Sequence, residues 1–349
     1  MARELEALGE QPRIEAGGVS WDGDARSMMR ANLWLRTASR VIVRVASFRA
    51  TAFFELEKRA KAIPWNQFLG DAAPEFRVTA RKSKLYHSDA IAERLTKATG
   101  SGEPGAGSER ATQLFIVRVE RDQFTVSADT SGELLHLRGY RQAIGKAPLR
   151  ETLAAALLLA ADWKGDVPLV DPMCGSGTIS IEGAMMARRM APGASREFRF
   201  SSWPSFDAAG WKALLADVRS RQLAAAPAVI IGSDRDAGAI ANAKANAARA
   251  GVGSDVTFEQ QPISAFQATA AAGLVATNPP YGVRVGDAKA LRNLYAQLGN
   301  VLRKHAAGWT LAMLASDQQL VKQTQLELQP RFRSTNGGIK VGAFIGEVI

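Results

Sequence analysis

Val167-Pro168-Leu169-Val170-Asp171-Pro172-Met173-Cys174-Gly175-Ser176-Gly177-Thr178 reads as a buried strand that ends in an acid and turns, through two glycines, into a helix. Glycines at 175 and 177 let the backbone approach a ligand closely, and the N-terminus of the following helix adds a positive potential. Many nucleotide-binding sheets carry such a turn. The dinucleotide fingerprint places a third glycine three residues after the second, whereas position 180 is Ser, which disfavours a nicotinamide cofactor.

Outward from this turn the pattern is one of strand–helix repeats. It predicts helices over 150–162, 177–190, 207–224, 236–250 and 287–305, and strands over 167–171, 228–233, 255–259, 273–277 and 308–315. That order is α/β and doubly wound, a Rossmann-like domain over residues 146–349. At the end of the second strand, Val229-Ile230-Ile231-Gly232-Ser233-Asp234 offers an acid that can accept hydrogen bonds from both hydroxyls of a ribose, or cap the next helix. Asp234 lies 63 residues after Asp171, against about 20 in a simple dinucleotide fold, so Arg188–Arg221, with Trp203 and Trp211, is an insertion.

Upstream, short strand-like and helix-like segments alternate. Arg13–Val19, Arg40–Val45 and Glu75–Ala80 read as strands, and Gln113–Glu120 with Gln123–Asp129 as a hairpin. Helices are predicted over Asp24–Ala38, capped by Asp22 or Asp24, over Thr51–Ile63, stopped by Pro64, and over Ser88–Thr99, capped by Ser88 or Asp89. Gly100–Ser108 is a low-complexity surface loop and Gly145–Arg150 a linker. The mixture indicates one or two small α+β units.

Bulk composition bounds the function. The chain has 349 residues, 46% of them hydrophobic, which suits two domains with a sizeable core. Its apolar run Leu153–Ala161 ends at Asp162, too short for a membrane span, and Met1–Glu6 has no apolar signal-peptide core. A single cysteine, Cys174, excludes a disulfide framework and a Cys-based zinc site, and three dispersed histidines argue against a metal. A soluble cytoplasmic protein is expected. The net charge of +10 permits a polyanionic partner, but its excess is spread along the chain.

Leu274-Val275-Ala276-Thr277-Asn278-Pro279-Pro280-Tyr281-Gly282 narrows the chemistry. A given tetrapeptide occurs by chance in such a chain roughly twice in a thousand, and this one follows an apolar strand. An exocyclic amino group on a purine is a poor nucleophile because its lone pair is delocalised into the ring. The Asn278 amide oxygen and the Pro279 carbonyl can accept its two hydrogens and aim the lone pair at an electrophilic methyl. Two prolines hold the turn with those acceptors in place. Tyr281 can stack on an extruded base, worth about 1–3 kcal/mol. A plain rigid turn is the competing reading.

Asp171–Thr178, Asp234 and Asn278–Tyr281 resemble motifs I, II and IV of class I S-adenosylmethionine-dependent amino-methyltransferases. Lys146-Ala147-Pro148-Leu149-Arg150-Glu151-Thr152-Leu153-Ala154 is similar to the opening segment of the THUMP-containing RNA guanine-N2 methyltransferases. Asn32–Val41 and Arg81–His87 resemble their ferredoxin-like and THUMP segments. The similarity covers nearly the whole chain, including the Trp203/Trp211 insertion and Asn336-Gly337-Gly338. It is greatest to the bacterial large-subunit ribosomal RNA branch, without a fused second methyltransferase.

That resemblance implies a ferredoxin-like unit over 1–50, a THUMP-like RNA-binding domain over 51–145 and the methyltransferase over 146–349. It implies S-adenosylmethionine held by Asp171, Pro172, Met173, Cys174, Gly175, Ser176, Gly177 and Thr178, by Asp234 and Arg235, and by Asn278. Asn278, Pro279, Pro280 and Tyr281 would take the target guanine, and Arg81, Lys82 and Lys84 would contact phosphates of structured RNA, 23S rRNA ahead of tRNA. No metal and no membrane partner is implied. A DNA adenine-N6 methyltransferase would share Asn-Pro-Pro-Tyr but not the N-terminal half; a non-catalytic RNA-binding protein that kept the fold is the alternative of another class. Two departures stand out. The position of the usual adenine-contacting acid is Pro262 or a Gln in Phe258–Ile263, and a ferredoxin-like unit without its usual strand ahead of the Leu5–Gly9 helix is expected.

Overall fold

The computed structural model describes residues 1–100, 111–142, 149–281 and 288–349. Most of the low-complexity loop (101–108), Lys146-Ala147-Pro148 and Gly282 therefore lie outside the described residues. The chain divides into two compact units: Met1–Leu135 with Arg196–Ala216, and His136–Ser195 with Asp217–Ile349.

The first unit begins with α1 (Ala2–Ala7), the hairpin β1 (Arg13–Glu15) and β2 (Gly18–Ser20), and α2 (Ala25–Trp34). The single strand expected over Arg13–Val19 is broken because Gly17 takes φ +85°, a left-handed turn that folds the segment on itself. Asp24 caps α2, its carboxylate accepting from the Ser27 amide at 2.8 Å, a contact worth about 1 kcal/mol. Then follow β3 (Ile42–Arg49), α3 (Phe53–Lys61), α4 (Asn66–Leu69), β4 (Ala73–Arg81), α5 (Ser88–Ala98), β5 (Thr112–Glu120) and β6 (Gln123–Asp129). Helix α5 is capped by neither Ser88 nor Asp89: Ser88 is already helical, and extended His87 holds the cap position without a side-chain bond.

Four strands form one sheet in the order β3-β6-β5-β4. One face carries Phe115, Val117, Phe124 and Val126, fully buried in one core with Leu56 and Ala60 of α3 and Ile91 and Leu95 of α5. Residues 196–216 join this core although they follow the Asp171–Thr178 turn in sequence. Phe198, Phe200, Trp203 and Leu214 are buried there. The Trp203 indole donates at 2.7 Å to Gln113, whose own amide donates to the Leu114 and Asp129 carbonyls. A buried indole N–H and a buried amide thus satisfy each other.

The second unit contains α6 (Glu151–Ala160), β7 (Leu169–Asp171) and α7 (Thr178–Ala187). Helix α8 (Ala208–Arg221) begins in the first unit and ends in the second. There follow β8 (Ile230–Asp234), α9 (Ala237–Arg249), β9 (Thr257–Gln260), β10 (Leu274–Thr277), α10 (Ala288–His305), β11 (Thr310–Ala315), α11 (Gln318–Gln323), β12 (Gln329–Asn336) and β13 (Ile339–Glu347). The seven-stranded sheet runs β12-β13-β11-β10-β7-β8-β9, parallel from β11 to β9. All four residues of β10 are buried, as a strand covered on both faces requires. The sheet is mixed: β13 runs antiparallel to β11 and β12, a hairpin the repeat pattern did not foretell.

Helix α10 buries Tyr295, Leu298 and Leu302, spaced for one helical face. Between them Gly299 lies against α11: a Cβ there would stand 1.9 Å from the Thr324 carbonyl oxygen. Alanine is ordinarily the better helix former, yet Gly299→Ala should destabilise the unit by about 2–3 kcal/mol through backbone displacement. Chemical denaturation would show it; an unchanged or raised midpoint would mean that α11 yields freely.

Candidate cofactor and base-binding site

Strands β10, β7 and β8 are adjacent and parallel, with Val275, Val170 and Ile231 in register. Their carboxyl ends therefore deliver the Asn278–Tyr281 turn, the Asp171–Thr178 turn and Asp234 to one edge of the sheet. The chain goes from β7 outward to β8 and β9, then returns to β10 on the other side of β7. This is the topological switch point at which open α/β sheets bind ligands.

The glycine turn is held from beneath. Cys174 donates its amide to the Ser233 carbonyl at 2.9 Å, and Gly177 donates to the Cys174 carbonyl at 2.8 Å. The Asn246 side chain on α9 donates to the Ser176 carbonyl at 3.1 Å. Gly175 and Gly177 both have positive φ, +52° and +84°. Their surroundings differ: a Cβ on Gly177 would press on Ala243 and Phe258, whereas one on Gly175 would enter open space. Gly177 serves close packing, and Gly175 bends a backbone that faces free volume.

Asp234 ties the two turns together. One carboxylate oxygen accepts from the Gly175 amide at 3.0 Å, the other from the Asp236 amide at 3.0 Å. An ionised carboxylate has about four acceptor positions, so each oxygen keeps one for a further donor such as a ribose hydroxyl. The helix-cap alternative falls to a neighbour: Asp236 caps α9, accepting from Gly238 and Ala239. Arg235 is exposed, and its carbonyl receives the Gln260 amide at 3.3 Å. Pro172 and Thr178 are buried, Met173 and Ser176 half-buried.

Asp171 is buried, and its carboxylate accepts from the Met173 amide at 3.2 Å. Burial pushes its pKa up to about 7, with the nearby negative charge of Asp234 acting in the same direction. Glu151, buried beside Arg141, is pushed up to about 7 as well, by burial first. Cys174 is pushed far above the thiol range by burial, so it is no nucleophile at neutral pH. A raised carboxyl pKa means that between about pH 4 and 7 the folded protein holds a proton the unfolded chain has released. Stability is therefore lost as pH rises through that window and levels off above it. The ligand-free protein should melt at lower temperature at pH 8 than at pH 5.5, and Asp171→Asn should shrink that difference. Equal differences in variant and wild type would remove Asp171 as a source.

At the third turn Asn278 is half-buried, Pro279 buried and Pro280 exposed. The Tyr281 hydroxyl donates to Asn278 Oδ1. Burial pushes the Tyr281 phenol up to about 12, so it remains a donor at any working pH. Below the turn, fully buried Tyr295 reaches the Pro280 carbonyl at 3.5 Å. Tyr295 and Asn246 support the site without having been singled out, because an aromatic or amide at helical spacing reads as ordinary packing.

The expected phosphate contacts lie in the first unit. Arg81 ends β4, Lys82 occupies a left-handed turn at φ 49°, and exposed Lys84 donates its amide to Asp122 at 2.7 Å. Among the described residues no group of three His, Cys, Asp or Glu could hold a metal, and no helix is long and apolar enough to cross a membrane.

Residues 138–342 match the family described as "RMKL-like, methyltransferase domain", and residues 1–42 match the "RlmL ferredoxin-like domain". The chain is 35% identical to "Putative RNA methyltransferase YpsC" of Bacillus subtilis, over 97% of this chain and 90% of that protein. It is 38% identical to "Ribosomal RNA large subunit methyltransferase K/L" of Syntrophotalea carbinolica, over 97% of this chain but 50% of that longer protein. Among solved structures, SMU.472, "a putative methyltransferase complexed with SAH", superposes with a TM-score of 0.88 at 30% identity, over 100% of this chain and 94% of that one.

Proposed function

The chain belongs to the RMKL-like methyltransferase domain family, and from that premise we propose that it methylates the exocyclic N2 of a guanine in structured RNA, 23S rRNA before tRNA. S-adenosylmethionine is the cofactor and supplies, when bound, an electrophilic methyl group. The observation that carries the reading is the position of Asn278, a half-buried amide at the end of β10, beside the glycine turn of β7. The names of the relatives support RNA as the substrate class.

In this reading the Asp171–Thr178 turn holds the methionine portion of the cofactor and Asp234, with Arg235 behind it, the ribose. Asn278 Oδ1 and the Pro279 carbonyl accept the two hydrogens of the target amino group, which directs its lone pair outward. Catalysis then rests on positioning and hydrogen bonding. Tyr281 has two settings. Without a base, its hydroxyl donates to Asn278; a bound base takes over that oxygen, and the released ring stacks on the base. Residues 51–145 serve as the THUMP-like RNA grip, behind a ferredoxin-like segment over 1–50.

The test is mass-spectrometric mapping of methylated guanines in ribosomal and transfer RNA from cells with and without the gene, alongside labelled-methyl transfer by the purified chain. Loss of one N2-methylguanine in 23S rRNA is expected. Loss confined to tRNA would move the substrate, and methylation of adenine in DNA would replace the reading. Retained RNA binding with no transfer to any nucleic acid would make the protein a non-catalytic binder.

A further inference from the structure

Helices α3 and α5 share the core on one face of the first unit's four-stranded sheet, and arginines mark the other face. Strand register places Arg49 and Arg81 on one rung of that face, Arg118 on the next, and Arg44 and Arg77 on the third. The intervening rungs carry Phe124 and Val126 into the helix-side core, so by alternation these five arginines point away from it. All five are exposed. With strands about 4.8 Å apart and about 3.3 Å per residue, they cover a patch of roughly 14 by 13 Å. The only carboxylate on those three rungs is Glu120.

Several of these cations have loose partners. Arg49 stands 3.9 Å from Asp122, Arg77 3.6 Å from Glu75, and Arg44 3.5 Å from Glu15 on the β1–β2 hairpin. Among the described residues no carboxylate comes within 4 Å of the Arg118 guanidinium. Arg44 and Arg118 also line a cavity of about 930 Å³, walled by that hairpin, by Trp21 and by Phe206. Both rings are half-buried, each with part of its surface open.

We infer that this face, with its cavity, binds an unpaired RNA strand: phosphates lie over Arg118 and the surrounding arginines, and a base enters beside Trp21 and Phe206. The inference rests on RNA being the substrate. Five exposed guanidiniums share the face with Glu120, and three of them have a further carboxylate only at 3.5–3.9 Å, while Glu15, Asp22, Asp24 and Asp207 line the cavity. At the cavity, Arg118 is left without a carboxylate among the described residues, and its planar fork suits phosphate. A strand whose bases can splay apart fits a walled cavity with aromatic sides, where a rigid duplex does not. Glu15 then competes with phosphate for Arg44.

Fluorescence anisotropy with the full chain tests this, using a labelled 12-nucleotide single-stranded RNA and a hairpin duplex as probes. Arg118→Gln should weaken single-strand binding about tenfold and lower the salt slope by about 0.7. Arg44→Gln should act similarly, Glu15→Gln should tighten binding, and Lys58→Gln on α3, on the other side of the sheet, should stay within twofold. All substituted side chains are exposed, so folding is not at stake. Equal effects of Arg118→Gln and Lys58→Gln would overturn the inference, as would duplex binding tighter than single-strand binding. If labelled-methyl transfer to rRNA persists while Arg118→Gln binds like wild type, this face is the wrong surface and the functional reading stands. If the wild-type chain binds neither RNA and transfers no methyl to rRNA, both fall.

Discussion

Asn278→Ala is expected to reduce methyl transfer to RNA by at least a hundredfold to a thousandfold while leaving affinity for S-adenosylhomocysteine within a few-fold. The split follows from geometry. Asn278 stands on β10, whereas the turn that would hold the cofactor is anchored by Ser233, Asn246 and Asp234. None of those anchors involves Asn278. In the proposed reaction its amide oxygen matters when the amino group must withdraw its lone pair from the ring and direct it at the electrophilic methyl, an interaction made chiefly in the transition state. Removing one such preorganised partner typically costs about 10²–10³ in turnover. Asn278→Asp is the informative companion. It keeps an acceptor but places a charge beside half-buried Tyr281, so partial activity with altered pH dependence is expected. Single-turnover transfer assays and calorimetry together would decide; near-wild-type turnover in Asn278→Ala would end its assignment as the catalytic acceptor.

Asn278 could be singled out in the sequence because it and its neighbours form one unbroken string after an apolar strand, and the same is true of Asp171–Thr178. Both strings sit at the carboxyl ends of adjacent strands. What joins them was not legible. Asp234 accepts from the Gly175 amide across 59 residues of chain, and no local pattern announces a bond of that kind. Tyr295 beneath Pro280 looks like any core aromatic on an amphipathic helix. Trp203 was read as part of an insertion over Arg188–Arg221, but nothing local announces that it bonds to Gln113, 90 residues upstream, or that residues 196–216 group with the first unit. Strand β12 escaped for a different reason. It is an edge strand, exposed along nearly all its length, and so lacks the alternation that marks a half-buried strand.

Asp234→Ala should have the opposite signature from Asn278→Ala: cofactor affinity falls about a hundredfold, and turnover at saturating cofactor falls far less. Two losses combine. The first is the proposed pair of ribose hydrogen bonds to a charged acceptor, worth about 1.5 kcal/mol each after exchange with water, the lower end for such bonds. The second is local: the Gly175 and Asp236 amides lose their shared carboxylate, so the glycine turn is no longer tied to the end of β8. Two further substitutions separate these losses. Asp234→Asn keeps one carbonyl oxygen, enough to hold one backbone amide but without the charge, and should fall between alanine and wild type. Gly175→Ala leaves the carboxylate intact and adds a Cβ into open space at φ +52°, straining only the turn. If calorimetry with S-adenosylhomocysteine gives the same affinity for Gly175→Ala as for Asp234→Ala, turn geometry dominates and the ribose contact is minor. If Asp234→Ala binds like wild type, the carboxylate serves the fold of the turn alone. The expected order, wild type above Gly175→Ala above Asp234→Asn above Asp234→Ala, holds only when the carboxylate both shapes the turn and meets the ribose.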